Sequence, residues 1–169
     1  MDEEMEVLKM HKTWEVVDTP KGVNIVGCQW TYVVKWDVLG NIAQYKARLV
    51  AQGFSQVQGV NFFNTYAPVA KMATIQTVLA LATHHNHEIH QVDIKNVFLN
   101  GVFLENKTIH MKLPPGTELT NKKGKVLKLL KPLYRLQQSA CHWYSCLWSI
   151  LRDGLRMKRC EVDQAAFYR

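Results

Sequence analysis

The sequence predicts an α+β fold, and three observations carry that expectation. A long stretch of period-two alternation reads as a β-hairpin, two segments with helical spacing lie far apart in the chain, and the elements follow one another without the regular strand–helix alternation of a doubly wound sheet. With 169 residues, 47% of them hydrophobic and 21% charged, the chain can bury a core of its own, and disordered, collagen-like and low-complexity classes are excluded. No repeat and no Pro/Gly/Ser linker divides it, so one cooperative unit is expected.

In chain order, residues 2–10 read as a short helix whose first-turn acids favour the positive end of its dipole. From Val26 to Trp36 the residues Val26, Cys28, Trp30, Tyr32, Val34 and Trp36 alternate with their neighbours as in a long strand. Asp37 to Asn41 supplies turn chemistry, and Ile42 to Ala51 resumes the alternation. On that second strand Gln44, Lys46 and Arg48 share one face, so the two cations point the same way about 7 Å apart. A charged edge strand exposed to solvent accounts for the same pattern.

Beyond the turn-rich 53–68 region, Met72, Ile75, Val78, Leu79 and Ala82 recur at helical spacing within Lys71 to His85, which predicts a helix packed into the core. His87 to Phe98 reads as a strand running into a turn, and short strands are expected at Ile109–Leu113 and Val126–Lys131. A second strong helix is expected from Ser139 to Leu155, where Trp143, Leu147, Ile150, Leu151 and Leu155 repeat every three or four residues and Gly154 weakens the end.

Charge bears on partners. The net charge is +7, yet the first eighteen residues are acidic, leaving +11 on the rest and +8 from Asn121 onward. That concentration favours a phosphate backbone as partner over a solvated basic face. The longest apolar stretches fall well short of the roughly 20 residues that cross a bilayer, and no signal-peptide pattern opens the chain. The four cysteines form no CxxC pair. An intracellular chain, cytoplasmic or nuclear, with reduced thiols and no membrane partner is therefore expected.

Among candidates for chemistry, Asp93 lies between Val92 and Ile94 with Val97, Phe98 and Leu99 close behind. A carboxylate ending a buried strand must be hydrogen-bonded, paired or metal-bound, or else cap the following turn. The group His84, His85, His87 and His90 matches no zinc spacing. Cys141 and His142, adjacent on a helix, diverge by about 100° and cannot act as a pair. No GxSxG, Walker A, GxGxxG or HExxH motif occurs.

Taken together, MEVLKMHKTWEVV (5–17), GCQW (27–30), YKARLVAQGF (45–54), YAPVAK (66–71), QVDIKNVFLNG (91–101), MKLPPG (111–116) and LLKPLYRLQQSACHWY (129–144) resemble the reverse transcriptase domain of copia-type (Ty1/copia) retrotransposon polyproteins, in the same order and over essentially the whole chain. The resemblance implies an incomplete right-hand polymerase, fingers plus the first part of the palm. Fingers-like residues would cover about 1–85, a palm strand region 86–112, a fingers-like return 113–138 and a palm helix region 139–169. It implies template-directed addition of deoxynucleotides to a primer end with two Mg²⁺ ions, and an RNA template, an RNA–DNA hybrid and deoxynucleotide triphosphates as partners. Asp93 matches the first metal-binding aspartate, and Phe98 the aromatic beneath the incoming sugar. Lys46 and Arg48 match basic positions that hold a triphosphate, and Gln138 lies in the second nucleotide-pocket segment.

The sequence also departs from that pattern. Arg135 replaces a glycine, Gln137 a lysine, Ala140 a proline and Cys141 an arginine, while Val97 stands where alanine is usual. No Asp-Asp pair occurs anywhere, so the family's Tyr-Val-Asp-Asp motif is missing from these residues. One carboxylate of three cannot hold two Mg²⁺ ions roughly 3.5–4 Å apart. The expectation is a fragment without nucleotidyl-transfer activity of its own. The alternatives are a non-catalytic nucleic-acid-binding module using the basic fingers surface, and a remnant that docks a protein or itself through exposed palm surface.

Overall fold

The computed structural model of the chain describes residues 1–103 and 108–169; the remaining part of the expected 86–112 region lies outside the described residues. Among the described residues three α-helices, α1 (Asp2–Met10), α2 (Met72–His84) and α3 (Ser139–Ser149), accompany eight strands. The strands are β1 (Trp14–Asp18), β2 (Ile25–Val26), β3 (Cys28–Trp36), β4 (Ile42–Ala51), β5 (Ile109–Met111), β6 (Lys125–Leu129), β7 (Lys158–Arg159) and β8 (Phe167–Tyr168). The mixed α and β content matches the expected class. Four strands form one sheet in the order β1-β6-β5-β2, while β3-β4 and β7-β8 form separate two-stranded ladders.

The four-stranded sheet organises the core. β6 pairs antiparallel with β1, Trp14 opposite Leu129 and Asp18 opposite Lys125, and antiparallel with β5, Met111 opposite Leu127. β2 adds to β5 in parallel, Val26 opposite Met111. Period-two alternation drives Leu127 and Leu129 inward, where they meet Ile109, Met111 and Val26, and turns Lys128 outward to Glu15 at 3.5 Å. α1 closes one side by burying Met5 and Leu8, three residues apart, and ends where Thr13 Oγ1 donates to the Leu8 carbonyl at 2.8 Å.

The hairpin forms where the alternation placed it, although the strand expected from Val26 is divided at Gly27, Val26 joining the four-stranded sheet and Cys28–Trp36 the hairpin. Cys28 stands opposite Ala51 and Lys35 opposite Gln44, before a bulge shifts Trp36 to Ile42. Asp37 fixes its tip, its Oδ1 accepting the Leu39 and Asn41 N–H groups at 2.9 Å each, with Gly40 at φ +83° where an L side chain would be strained. Those N–H bonds, Asn41's foremost, hold the Asp37 carboxyl below its ordinary range. The inner end of the hairpin, Leu49 to Ala51, is buried in the core, whereas Tyr32, Trp36 and Tyr45 at the outer end are exposed.

Three expectations need correction. α2 forms where helical spacing placed it, but none of its residues is buried, and Met72 and Val78 are 67% and 57% exposed. Periodicity marks which face of a helix is apolar; whether another element covers that face is a matter of topology. The segment His87–Phe98 forms no strand, because no described element offers it a ladder to complete. It runs irregularly to a turn at Lys95–Asn96 and a 3-10 turn at Val97–Asn100. Asp93 is accordingly exposed, as are Val92 and Ile94, so the desolvation cost expected of a buried carboxylate does not arise. Finally, the helix expected to Leu155 changes to a π-helical turn over Ile150–Gly154 after α3.

What anchors α2 is its N-terminus. Asp163, only 4% exposed, accepts the Lys71 N–H at 2.8 Å and the Ala165 N–H at 3.0 Å, and Lys71 Nζ donates to the Val162 carbonyl at 2.8 Å. The Thr74 hydroxyl foremost, then those two N–H groups, hold the Asp163 carboxyl below its ordinary value of 3.8. A lowered folded-state value means that this contribution to stability is fully present above that ordinary range and fades as pH falls through the lowered value. Acidification is therefore expected to lower the amide protection factors at residues 71–75 before those of the core sheet fall. Asp163→Asn should reproduce the effect at neutral pH, and unchanged exchange in that variant would remove Asp163 as the anchor.

Candidate functional site

Lys46 and Arg48 stand on β4 opposite Val33 and Thr31, both half-buried, at the transition from the exposed to the buried part of the hairpin. On one side Lys46 borders a cleft of about 320 Å³, shared with Met1 to Glu4 and Val7 of the α1 end. Glu4 reaches across, its Oε1 accepting the Leu49 N–H at 3.4 Å. Burial raises the Glu4 carboxyl above its ordinary value, opposed by that N–H and by the charges of Arg48 and Lys46.

Arg48 meets an aromatic pair. Its guanidinium carbon lies 5.1 Å from the centre of the Tyr134 ring, and Phe98 meets the same ring edge to face at 5.0 Å and 81°. Such contacts contribute about 0.5–1 kcal/mol for the cation and about 0.5–1.5 kcal/mol for the aromatic pair. The structure thus brings two of the sequence-predicted residues, Arg48 and Phe98, onto a third that the sequence reading passed over. Tyr134 lies within the LLKPLYRLQQSACHWY segment, but no periodicity or spacing singles it out. Phe98 also lines an apolar cleft of about 240 Å³ with Trp143, Leu147 and Phe167.

Backbone contacts hold Tyr134 in place. Its carbonyl accepts the Ala51 N–H at 3.0 Å, three residues along β4 from Arg48. The next residue, Arg135, adopts φ +66°, the left-handed region that favours glycine, and this is the position where the resemblance led one to expect glycine. An L side chain there costs roughly 1–2 kcal/mol. Glycine would relieve that strain while losing roughly 0.5–1 kcal/mol through its greater freedom in the unfolded chain. Arg135→Gly is therefore expected to raise stability by about 0.5–1 kcal/mol, read as a higher urea midpoint; a midpoint lowered by glycine's full cost would show the turn to be unstrained.

The other predicted residues lie differently. Gln138, just before α3, is 3% exposed, and both ends of its amide are engaged. Nε2 donates to the Asn61 carbonyl at 3.3 Å, and Oε1 accepts from Gln56 Nε2 at 3.1 Å. Gln56 in turn accepts the Gln137 N–H at 2.9 Å, so these amides tie the loop after β4 to the start of α3. Asp93 stands on its exposed segment five residues before Phe98. Among the described residues no group of three or more His, Cys, Asp or Glu side chains could hold a metal ion. As for thiol chemistry, Cys141 is buried, and burial pushes the Cys28 thiol up to about 11, which leaves little thiolate at neutral pH.

The late basic excess divides between two places. Lys125 and Lys128 of β6 pair with Asp18 and Glu15 of β1 at 2.7 and 3.5 Å, so acids of the N-terminal segment offset part of it. Beyond α3, Arg152 and Arg159 flank the Trp148 ring at 5.7 and 4.9 Å, Phe167 stacks on it at 5.7 Å, and Arg159 donates to the Tyr144 hydroxyl at 3.1 Å. No helix among the described residues is long and apolar enough to cross a membrane.

Comparison with known proteins bears on this geometry. The sequence model of the family described as reverse transcriptase (RNA-dependent DNA polymerase) matches residues 11–169. The chain is similar to the retrovirus-related Pol polyprotein from transposon TNT 1-94 of Nicotiana tabacum, 39% identical over 158 residues that make up 94% of this chain and 12% of that protein. It is similar to the retrovirus-related Pol polyprotein from transposon RE1 of Arabidopsis thaliana, 38% identical over 133 residues, 78% of this chain and 9% of that one. An uncharacterized mitochondrial protein of Arabidopsis thaliana is 45% identical over 82 residues, 48% of each chain. The chain thus spans about a tenth of the length of the two polyproteins. No solved structure matches it.

Proposed function

This chain belongs to the reverse transcriptase (RNA-dependent DNA polymerase) family, in its copia-type branch, and from that premise we propose that its residues form the fingers and first palm segment of such a polymerase, the part that receives the incoming deoxynucleotide. In this reading Lys46 and Arg48 draw the triphosphate by charge-assisted contacts. Phe98 lies against the sugar where a 2′-hydroxyl would crowd it, and Gln138 fixes the pocket floor through the amides it bridges. The RNA template and the growing hybrid follow the basic side chains beyond α3, Arg156, Lys158 and Arg159 among them, while Arg152 is paired with Asp153 at 2.7 Å.

The observation that carries the reading is the meeting of Arg48 with Phe98 through one ring. These residues are 50 positions apart in sequence, and they come together as a single nucleotide contacting both would require. A photoreactive deoxynucleotide triphosphate analogue is expected to label residues near 46–48 and 98, and Lys46→Ala with Arg48→Ala to abolish most of that labelling. Labelling spread over the surface, or unaffected by both substitutions, would overturn the site.

Reverse transcriptases of this family work with Mg²⁺, and two ions need several oxygen ligands converging within a few ångströms. Asp93 offers one carboxylate from an exposed segment, with no group of ligating side chains around it among the described residues. The described residues do not by themselves fit a two-ion centre. We propose that these 169 residues alone bind nucleotide without transferring it. Incorporation of labelled deoxynucleotide on a primed RNA template by the purified chain would contradict this.

A further inference from the structure

We propose that Tyr134 is a positioning residue that sets the separation between the cation receiving the phosphates and the aromatic that screens the sugar. The inference rests on the nucleotide-site reading above. Arg48 lies over one part of the Tyr134 ring and Phe98 presents against it edge to face, so the ring is their common support. Neither of the two is pinned to the other by any contact of its own that the structure describes.

The ring itself is well placed to act as a fixed spacer. Its backbone carbonyl is bonded to Ala51 at the end of β4, its neighbour Arg135 is held in a left-handed turn, and the Arg135 carbonyl lies against Gly53 so closely that no side chain fits there. The strand that carries Arg48 and the loop that carries Tyr134 therefore move as one piece. Phe98, on the 3-10 turn Val97–Asn100, comes from a different part of the chain and is aligned to that piece through the ring. A nucleotide that touches Arg48 with its phosphates and Phe98 with its sugar would find both at one spacing, and discrimination at the 2′ position would depend on that spacing being kept. Positioning of this kind has a signature that ordinary packing lacks: it couples phosphate affinity to sugar selectivity.

The test is titration calorimetry of the 169-residue chain with dATP and with ATP, which differ only in the 2′-hydroxyl. Tyr134→Leu is expected to weaken dATP binding about tenfold and bring the ratio of the two affinities close to one, while Tyr134→Phe, which keeps the ring, retains both values. In the parent chain, Arg48→Ala and Phe98→Ala are expected to be non-additive in dATP affinity, a measurement that does not require Tyr134→Leu to fold. If Arg48→Ala and Phe98→Ala each weaken dATP, yet add independently and Tyr134→Leu binds as the parent does, the bridge is wrong and the site stands. If neither of those alanine variants changes binding, the site reading falls and the bridge with it.

Discussion

Gly53→Ala is expected to destabilise the chain by about 3 kcal/mol, near the upper end for an inserted methyl group. A Cβ at this position would collide with the Arg135 carbonyl, a backbone atom that cannot swing aside. The Arg135 turn is already strained by its positive φ, so it has little room to retreat. Gly27→Ala provides the internal control, because the obstacle there is the end of the Gln52 side-chain amide, which can rotate away at a cost under about 1 kcal/mol. Urea titrations of the two variants should differ by several-fold in the loss of stability. Equal losses would mean that the loop after β4 yields as easily as a flexible side chain. The same substitution should also disturb the Arg48–Tyr134 contact, since Tyr134 immediately precedes the displaced carbonyl.

Leu127→Ala is expected to cost about 3–4 kcal/mol. Leu127 is 0% exposed on β6, the strand hydrogen-bonded on both sides, to β1 and to β5. Removing three carbons there leaves a void between Met111 on β5 and the residues that pack against the sheet, and strands held by ladders on two sides cannot collapse far into it. A shift in the urea midpoint with an unchanged slope would confirm a loss of packing. A loss below about 1 kcal/mol would show the four-stranded sheet to be loosely packed.

Sequence legibility was uneven, for physical reasons visible in particular elements. The hairpin could be read as a hairpin because both partners of the ladder are adjacent in the chain and Asp37 and Gly40 announce the turn between them. α1 and α3 follow from local spacing and from first-turn acids or apolar repeats. His87–Phe98 misled, because alternation shows a segment suited to a ladder but says nothing of whether a partner strand is there to complete it. α2 misled in the same way about burial. The candidate site was half legible. Family motifs pointed to Lys46, Arg48, Phe98, Gln138 and Asp93, and the glycine missing at Arg135 foretold a strained turn that the structure shows at φ +66°. Tyr134 escaped because its importance lies in two tertiary contacts, to residues 86 and 36 positions earlier, which no local pattern encodes.

The pairing of β1 with β6 has a consequence for how this chain comes into being. Asp18 and Lys125, joined at the end of that ladder, are 107 residues apart. A ribosome adding roughly 5–20 residues per second leaves β1 waiting about 5–20 s for its partner, whereas the hairpin, closed within a few dozen residues, forms in microseconds once it emerges. The nascent polypeptide would therefore spend seconds with a finished hairpin and an unfinished sheet. Over that interval the bare edge of Trp14–Asp18 is the stretch most in need of a chaperone.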